Sequence, residues 1–431
     1  MSKKTILLFT LLFIMLMSAP VMANVTLDIN GKSFEPGISP QLENGITTVP
    51  LSFIARSLGA DAAVDEQGLI TINENGEKLV MSLGSTGAVF NGNKLGMPKA
   101  PEKVGEEIML PVRFVMETFG AEIGWQDEEK KVTIDYEEKR NGMTVEEMLA
   151  TSSANLDKCN TYKMNMDMEI SMDVKVPEEE AEKIDMSSSS TLAFQKDPLT
   201  MYIQQSITAV DSSITDDGEE QIEEITSESL VNEDGYYLTM PETGWLKMEL
   251  PGLDIQALME QSGNQNPVSS IQEMKDYGVI LSYGNDQEKN GEKYWLINVT
   301  MGPDSFTEYC QSMMGQVPFM SSITEDAPLE MQSFIESLMN SLEVDMVYDV
   351  WIDQEELLPT FMDLDARMFI NMQFPLPEDE AALSMEMNMT ELVFYEIYDL
   401  ELPFEIPDVS GAKDFMEAMQ EEMNMSDIEV K

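Results

Sequence analysis

From Tyr162 to Val176 the chain reads YKMNMDMEISMDVKV, and every second residue is apolar. Tyr162, Met164, Met166, Met168, Ile170, Met172, Val174 and Val176 fall on one side. Lys163, Asn165, Asp167, Glu169, Ser171, Asp173 and Lys175 fall on the other. A period of two belongs to a β-strand, whose successive side chains point to opposite faces. At about 3.3 Å per residue this strand spans roughly 50 Å, far beyond the usual length of about five or six residues. So long a strand needs long neighbours. It dictates a large curved sheet with one oily and one charged face.

More strands are expected in meander order, at 187–194, 199–210, 223–232, 236–240, 245–250, 279–283, 294–301, 344–352, 368–374 and 385–398. Glu233-Asp234-Gly235 and Pro241-Glu242-Thr243-Gly244 supply two of the turns. Helices are expected over 144–156, where Thr144 and Glu147 form a capping box, and over 255–261, 271–275, 305–314, 329–342 and 412–423. Met346, Met368, Met372, Met385, Met387 and Met389 carry the alternating spacing into the later strands. With Met164, Met166, Met168 and Met172 they are the candidate lining of a hydrophobic groove.

Three readings compete for this row of thioethers. Thioethers select Cu(I), yet histidine is absent from all 431 residues, and Cys159 stands just outside the row with no second thiol beside it. Methionine is also abundant everywhere, with 37 in the chain, which points to composition rather than a ligand set. No metal or other cofactor is therefore assigned. Methionine equally fills irregular apolar space, each buried side chain contributing about 1.5–3 kcal/mol, so a filled core explains the pattern without a ligand. A groove for a lipid or other hydrophobic ligand refines the core reading, since a soft, adaptable surface suits chains of varied shape. Both of these stay open here.

Charge narrows the partners. The formal net charge is −55, from 80 acidic and 25 basic residues, and most of the acid lies beyond residue 136. Such a surface repels nucleic acid and anionic membranes. The missing histidine removes the commonest general base. Acidic pairs such as Glu219-Glu220 and Glu223-Glu224, and the run Glu178-Glu179-Glu180, supply the residue type of a carboxylate-dependent hydrolase. Such runs are usually solvated, however, and neither a Gly-x-Ser-x-Gly elbow nor a phosphate-binding Gly-rich loop occurs. A non-enzymatic protein is expected. Cys159 and Cys310 are either a disulfide, formed in an oxidising compartment, or two buried free thiols.

Residues 1–23 have the parts of a secretory signal peptide: Lys3 and Lys4, an apolar run from Ile6 to Met17, and Val21-Met22-Ala23 at the cut. That run is short for a spanning helix, and no transmembrane span is expected in the mature chain. Two later segments match one another, Asp28 to Ile72 and Val89 to Ile134. Asn30-Gly31 aligns with Asn91-Gly92, Pro50 with Pro111, Phe53 with Phe114, and Gly59-Ala60 with Gly120-Ala121. Asn-Gly is the favoured two-residue hairpin turn, proline is tolerated at a helix start, and glycine caps a helix end. Each copy therefore reads hairpin, short helix, strand.

The doubled pattern, PLSFIARSLGA and PVRFVMETFGA before hydrophobic closing strands, resembles the copper amine oxidase N-terminal (stalk) domain over residues 24–136. The resemblance implies an exported, cell-envelope protein, mostly of Gram-positive bacteria, with the repeat as an attachment module for a cell-wall or envelope protein partner. It implies no oxidase chemistry, which needs histidine ligands. After a linker at 137–143, residues 144–406 resemble the lipoprotein-carrier (LolA/LppX-like) superfamily and related Firmicute envelope proteins of unknown function. The resemblance rests on the order of elements, on Asn160-Thr161-Tyr162-Lys163-Met164, and on the hairpin from Gly235-Tyr236-Tyr237 to Gly244-Trp245-Leu246-Lys247. It implies an unclosed barrel whose concave face, covered by helices, takes up lipid. Residues 407–431 read as an acidic helix or tail. The expected fold class is α+β: a small two-repeat α+β domain, then a large curved antiparallel sheet covered by helices.

Overall fold

The computed structural model describes residues 25–34, 38–175, 182–211, 221–240, 243–248, 268, 271, 277–316, 341–374, 383–415 and 418. The expected signal peptide, the helices at 255–261 and 271–275, most of the helix at 329–342 and most of 412–423 lie outside the described residues.

The repeat folds as two interlocked copies. In the first, β1 (Thr26–Ile29) and β2 (Lys32–Phe34) are joined at Asn30-Gly31, where φ is 49° and 81°. Both residues lie in the left-handed region, which is why Asn-Gly stands there. Next come β3 (Gln41–Glu43), β4 (Ile46–Pro50), helix α1 (Leu51–Leu58), β5 (Asp61–Val64) and β6 (Leu69–Glu74). After β7 (Glu77–Ser82), the second copy supplies β8 (Gly87–Phe90), β9 (Asn93–Gly96), β10 (Glu102–Val104), β11 (Glu107–Pro111), helix α2 (Val112–Thr118), β12 (Glu122–Gln126) and β13 (Lys131–Asp135). Pro50 and Pro111 end strands and stand one position before the first helical turn, as N-caps.

The copies exchange strands. β1 pairs in parallel with β13, and β4 pairs with β11, Val49 opposite Leu110. Three sheets result, β12-β13-β1-β2, β10-β11-β4-β3 and β5-β6-β7-β8-β9. Leu27, Phe53, Ile54, Leu58, Ile70, Ile72, Val115, Met116 and Ile134 from both copies share one core. Neither half has a core of its own.

The second part opens with α3 (Val145–Leu156). The Glu147 amide donates to Thr144 Oγ1 at 3.3 Å, and the Thr144 amide donates to the Glu147 carboxylate at 3.0 Å, so the capping box is present. The strands are β14 (Thr161–Lys175), β15 (Glu182–Gln195), β16 (Thr200–Asp211), β17 (Gln221–Asn232), β18 (Gly235–Met240), β19 (Gly244–Met248), β20 (Ile280–Tyr283), β21 (Gln287–Lys289), β22 (Glu292–Met301), β23 (Leu342–Asp353), β24 (Pro359–Phe374), β25 (Leu383–Tyr398) and β26 (Lys413–Asp414). Helix α4 (Pro303–Gln316) lies between β22 and β23. All thirteen strands join one sheet, in the order β20-β22-β23-β24-β25-β14-β15-β16-β17-β18-β19-β26, with β21 beside β22. Pairing is antiparallel except between β19 and β26. The path does not close on itself, which makes the sheet an open, curved half-barrel with helices on it. The fold is α+β.

Three differences from the sequence expectation have physical causes. Strand β24 begins at Pro359, well before the expected residue 368, because Leu364 and Ala366 continue the apolar side between Asp363, Asp365 and Arg367. Lys413-Asp414 pairs beside Leu246-Lys247, where a helix from 412 was expected, satisfying the edge of β19. The outward face is not wholly charged: Trp351 meets Phe361 edge to face at 5.7 Å between ring centres, and Phe361 stacks on Phe394 at 5.9 Å. Lys289 of β21 lies 3.8 Å from the centre of the Phe361 ring and shields this ladder from water.

Residues 137–143, expected as a plain linker, form a packed joint. Asn141-Gly142 makes a tight turn with φ of 51° and 77°, and Arg140 bridges to Met143. Arg140 is only 7% exposed. Its guanidinium pairs with Glu138 at 2.8 Å and with Asp286, and lies over the Tyr283 ring at 5.0 Å. Close by, α1 docks on β20: Ser282 Oγ donates to the Arg56 carbonyl at 2.8 Å, and Arg56 makes a two-pronged bond to Asp345 at 2.9 and 3.0 Å. Ile280 inserts into the core of the repeat. The repeat and the large sheet are thus fastened by apolar, polar and charged contacts together.

Glu74 lies in this joint, 6% exposed. Burial, and after it the charges of Glu138 and Glu77, push its carboxyl up to about 7, against the opposing pull of Arg140 and the Tyr136 hydroxyl. A carboxyl raised on folding contributes stability that is complete below its unfolded value near 4.5 and lost as pH rises through about 7. The expected loss between pH 5 and pH 8 is about 2 kcal/mol. For Glu74→Gln, the fall in melting temperature over that window is expected to be smaller than in the parent by about 2 °C. Equal slopes for the two proteins would assign the titration to other groups.

Candidate functional site

Directly opposed residues of antiparallel strands share a face, so the register assigns every methionine of interest. In the first row across the sheet, Met172 opposes Met389, Met389 opposes Met368, and Met368 opposes Val344. In the next, Val174 opposes Met387, Met387 opposes Ile370, and Ile370 opposes Leu342. Met385 opposes Met372 one step further out. Toward the other end, Met168 lines up with Val393, Leu364 and Tyr348, and Met166 with Tyr395, Met362 and Val350. Met164 opposes Ile397, and Met346 opposes Ala366. All ten positions have the same parity. The side chains of Met372 and Met385 lie outside the described residues.

This inner face is covered unevenly. At the β22–β23 side Ile297, Val299, Met301, Val344, Met346 and Val350 are buried against Val145, Met148 and Leu149 of α3, with Phe306 and Tyr309 of α4 packed at the margin. Leu156 covers Tyr162, Phe194 and Ile397 near the start of β14, where Met164 joins the cluster. Further along, Met166, Met168, Met172, Met368, Met387 and Met389 are half-buried. Beyond β14 the face turns polar. Ser188 and Ser190 are buried there, Gln205 donates to Ser188 Oγ at 3.1 Å, and Ser190 donates to the Met166 carbonyl. An apolar strip therefore runs from β22 to β14, with a packed end and a half-open end.

One residue on this strip escaped the sequence reading. Counting by twos from Met385 through Met387 and Met389 arrives at Glu391, then Val393 and Tyr395. Glu391 opposes Ile170 on one side and Ala366 on the other, placing a carboxylate in the middle of the apolar strip. The signal was present as a break in the alternation of β25, where Leu392 and Phe394 make the polar side look apolar too. Tyr348 and Tyr395 share the face. Burial raises both hydroxyls above the ordinary tyrosine range, and the Glu391 charge adds to this in each case.

The two thiols are free and lie on different elements, so the candidate disulfide between Cys159 and Cys310 is not formed. Cys159 follows α3 and lies 3.8 Å from the Asn155 carbonyl, while Cys310 lies within α4. Both are half-buried rather than fully buried, and burial raises both thiols.

Against known families, a model of the family of unknown function DUF6612 matches residues 144–409. The chain belongs to this family. The DUF6612 segment covers α3 and every strand from β14 to β25, and it ends before β26. A model of the copper amine oxidase N-terminal domain matches residues 28–174. The two matches overlap over α3 and most of β14, which pack with the DUF6612 sheet.

Among solved structures, LppX of Mycobacterium tuberculosis is 10% identical, with a TM-score of 0.27 over 61% of this chain and 98% of that one. LprF of Mycobacterium bovis is 9% identical, with a TM-score of 0.25 over 61% and 96%. A LolA superfamily protein of Nitrosomonas europaea is 8% identical, with a TM-score of 0.16 over 62% and 96%. No curated protein matches. Among the described residues no helix is long and apolar enough to cross a membrane.

Proposed function

We propose that this DUF6612 protein is exported to the cell envelope of a Gram-positive bacterium and holds a lipid or similar hydrophobic ligand, without catalysis. The repeat would serve as its attachment module. One observation supports ligand binding most directly: the methionine strip is buried under α3 at one end and half-exposed at the other. A core needs no open end. Flexible thioethers at the open end would adapt to an acyl chain at low cost in packing. Export is supported by the character of residues 1–23. Attachment is supported by the match to the copper amine oxidase N-terminal domain.

The test is native mass spectrometry and organic extraction of the full mature chain, with titration of an apolar fluorescent probe. A co-purified lipid, or saturable probe uptake, is the expected result. Met168→Asp and Met368→Asp should each weaken probe binding about tenfold or more, since a charge on the strip costs well over 1.4 kcal/mol. A protein free of lipid that takes up no probe would favour a filled core and a purely structural or adhesive role.

A further inference from the structure

Among the described residues the carboxylate of Glu391 has no counter-ion. On the inner face of β22, β23, β24, β25 and β14, as the register defines it, Lys293 at the exposed start of β22 is the one lysine or arginine among the described residues. It lies at the far end of that strand from Met301, which shares the row of Glu391, Ala366 and Met346. Arg367, Lys163 and Lys175 belong to the opposite face, where they pair with Asp365, Asp399 and Glu386. Of the described helices packed on the strip, α3 (VEEMLATSSANL) and α4 (PDSFTEYCQSMMGQ) contain no basic residue. Glu391 makes no hydrogen bond or ion pair with a described residue. The register thus places a half-buried carboxylate among Ile170, Ala366, Met389 and Val393, with no cationic side chain of a described residue paired to it.

We propose that Glu391 is the head-group anchor of the site, and that the ligand is a long-chain amphiphile with an ammonium head and no anionic group. The proposal rests on the binding face argued above. Charge complementarity chooses the head: a cation supplies what Glu391 lacks, whereas a phosphate or fatty carboxylate would meet a like charge in an apolar surround. Tyr348 and Tyr395, on the same face, offer ring surfaces to an ammonium group. The chain would then lie along Met168, Met172, Met368 and Met389 toward the open end. A net charge of −55 would draw such a ligand in and hold anionic lipids off.

The experiment compares dodecylamine, dodecanol and dodecanoate, each below its aggregation limit, displacing an apolar fluorescent probe from the full mature chain. It is run at 0.5 M salt, about a 4 Å screening length, to suppress attraction by the surface charge. Dodecylamine should bind about tenfold tighter than dodecanol, with dodecanoate weakest. Glu391→Gln, a near-isosteric change, should remove the amine's advantage and leave dodecanol binding as it was. Glu391→Lys should turn the preference toward dodecanoate, and Glu386→Gln on the opposite face should change nothing. Equal binding of amine and alcohol by the parent, or an amine preference that survives Glu391→Gln, overturns the anchor while leaving a chain-binding groove intact. If none of the three displaces the probe, the binding face itself fails, and the anchor with it.

Discussion

Gly59→Ala is expected to separate the repeat from the large sheet, at a cost of about 3–5 kcal/mol. Gly59 caps α1 in the left-handed region, φ 66°, where a side chain costs roughly 1 kcal/mol by itself. The larger part is collision. A β-carbon there would stand 1.8 Å from the Tyr283 carbonyl oxygen and 2.5 Å from its carbonyl carbon. These are backbone atoms at the end of β20, so no rotamer change relieves the overlap and one element must back away. The second copy provides the control. Gly120 has φ 93°, but a β-carbon there meets nothing within 4 Å. Gly120→Ala should therefore cost only the conformational part, about 1 kcal/mol. Denaturant unfolding gives both values, and hydrogen exchange should show α1 and β20 losing protection in Gly59→Ala alone. Equal costs for the two variants would mean that the close approach of α1 to β20 does not exist in solution.

Arg140→Met is expected to cost about as much, 3–5 kcal/mol, for an electrostatic reason. Among the described residues Arg140 is the cation placed among Glu74, Glu138 and Asp286 in the joint, and its ring contact with Tyr283 adds to the hold. Methionine would fill similar volume yet leave Glu138, whose Oε2 is already buried without a partner, facing Glu74 across the gap. The same change removes the positive charge that holds Glu74 down, so its carboxyl should rise above about 7. Stability of the variant should then fall more steeply than that of the parent between pH 5 and pH 8, with part of the loss recovered at pH 5 as Glu74 takes up a proton. Urea unfolding at the two pH values measures both effects. A cost below about 1 kcal/mol with an unchanged pH slope would show that the cluster is solvated and the joint loose.

Much of the architecture was legible in the chain because local rules act within a few residues. Alternation over Tyr162–Val176 required a strand with an apolar side, Asn30-Gly31 and Asn91-Gly92 required turns, and Thr144 with Glu147 required a helix start. Parity along a strand also placed Met164, Met166, Met168 and Met172 on one side before any partner was known.

Partner choice was not legible. β14 pairs with β25 from the far end of the chain as well as with its neighbour β15, and β1 pairs with β13 across the whole repeat. A period of two says which way a side chain points but is silent on which strand lies alongside, because pairing energy comes from contacts made only after distant segments meet. Only the assembled sheet set Glu391 between Ile170 and Ala366, brought Asp286 to Arg140, and pressed Tyr283 against Gly59. Local chemistry determined the elements and their faces; long-range pairing decided which charge ended up on the apolar strip.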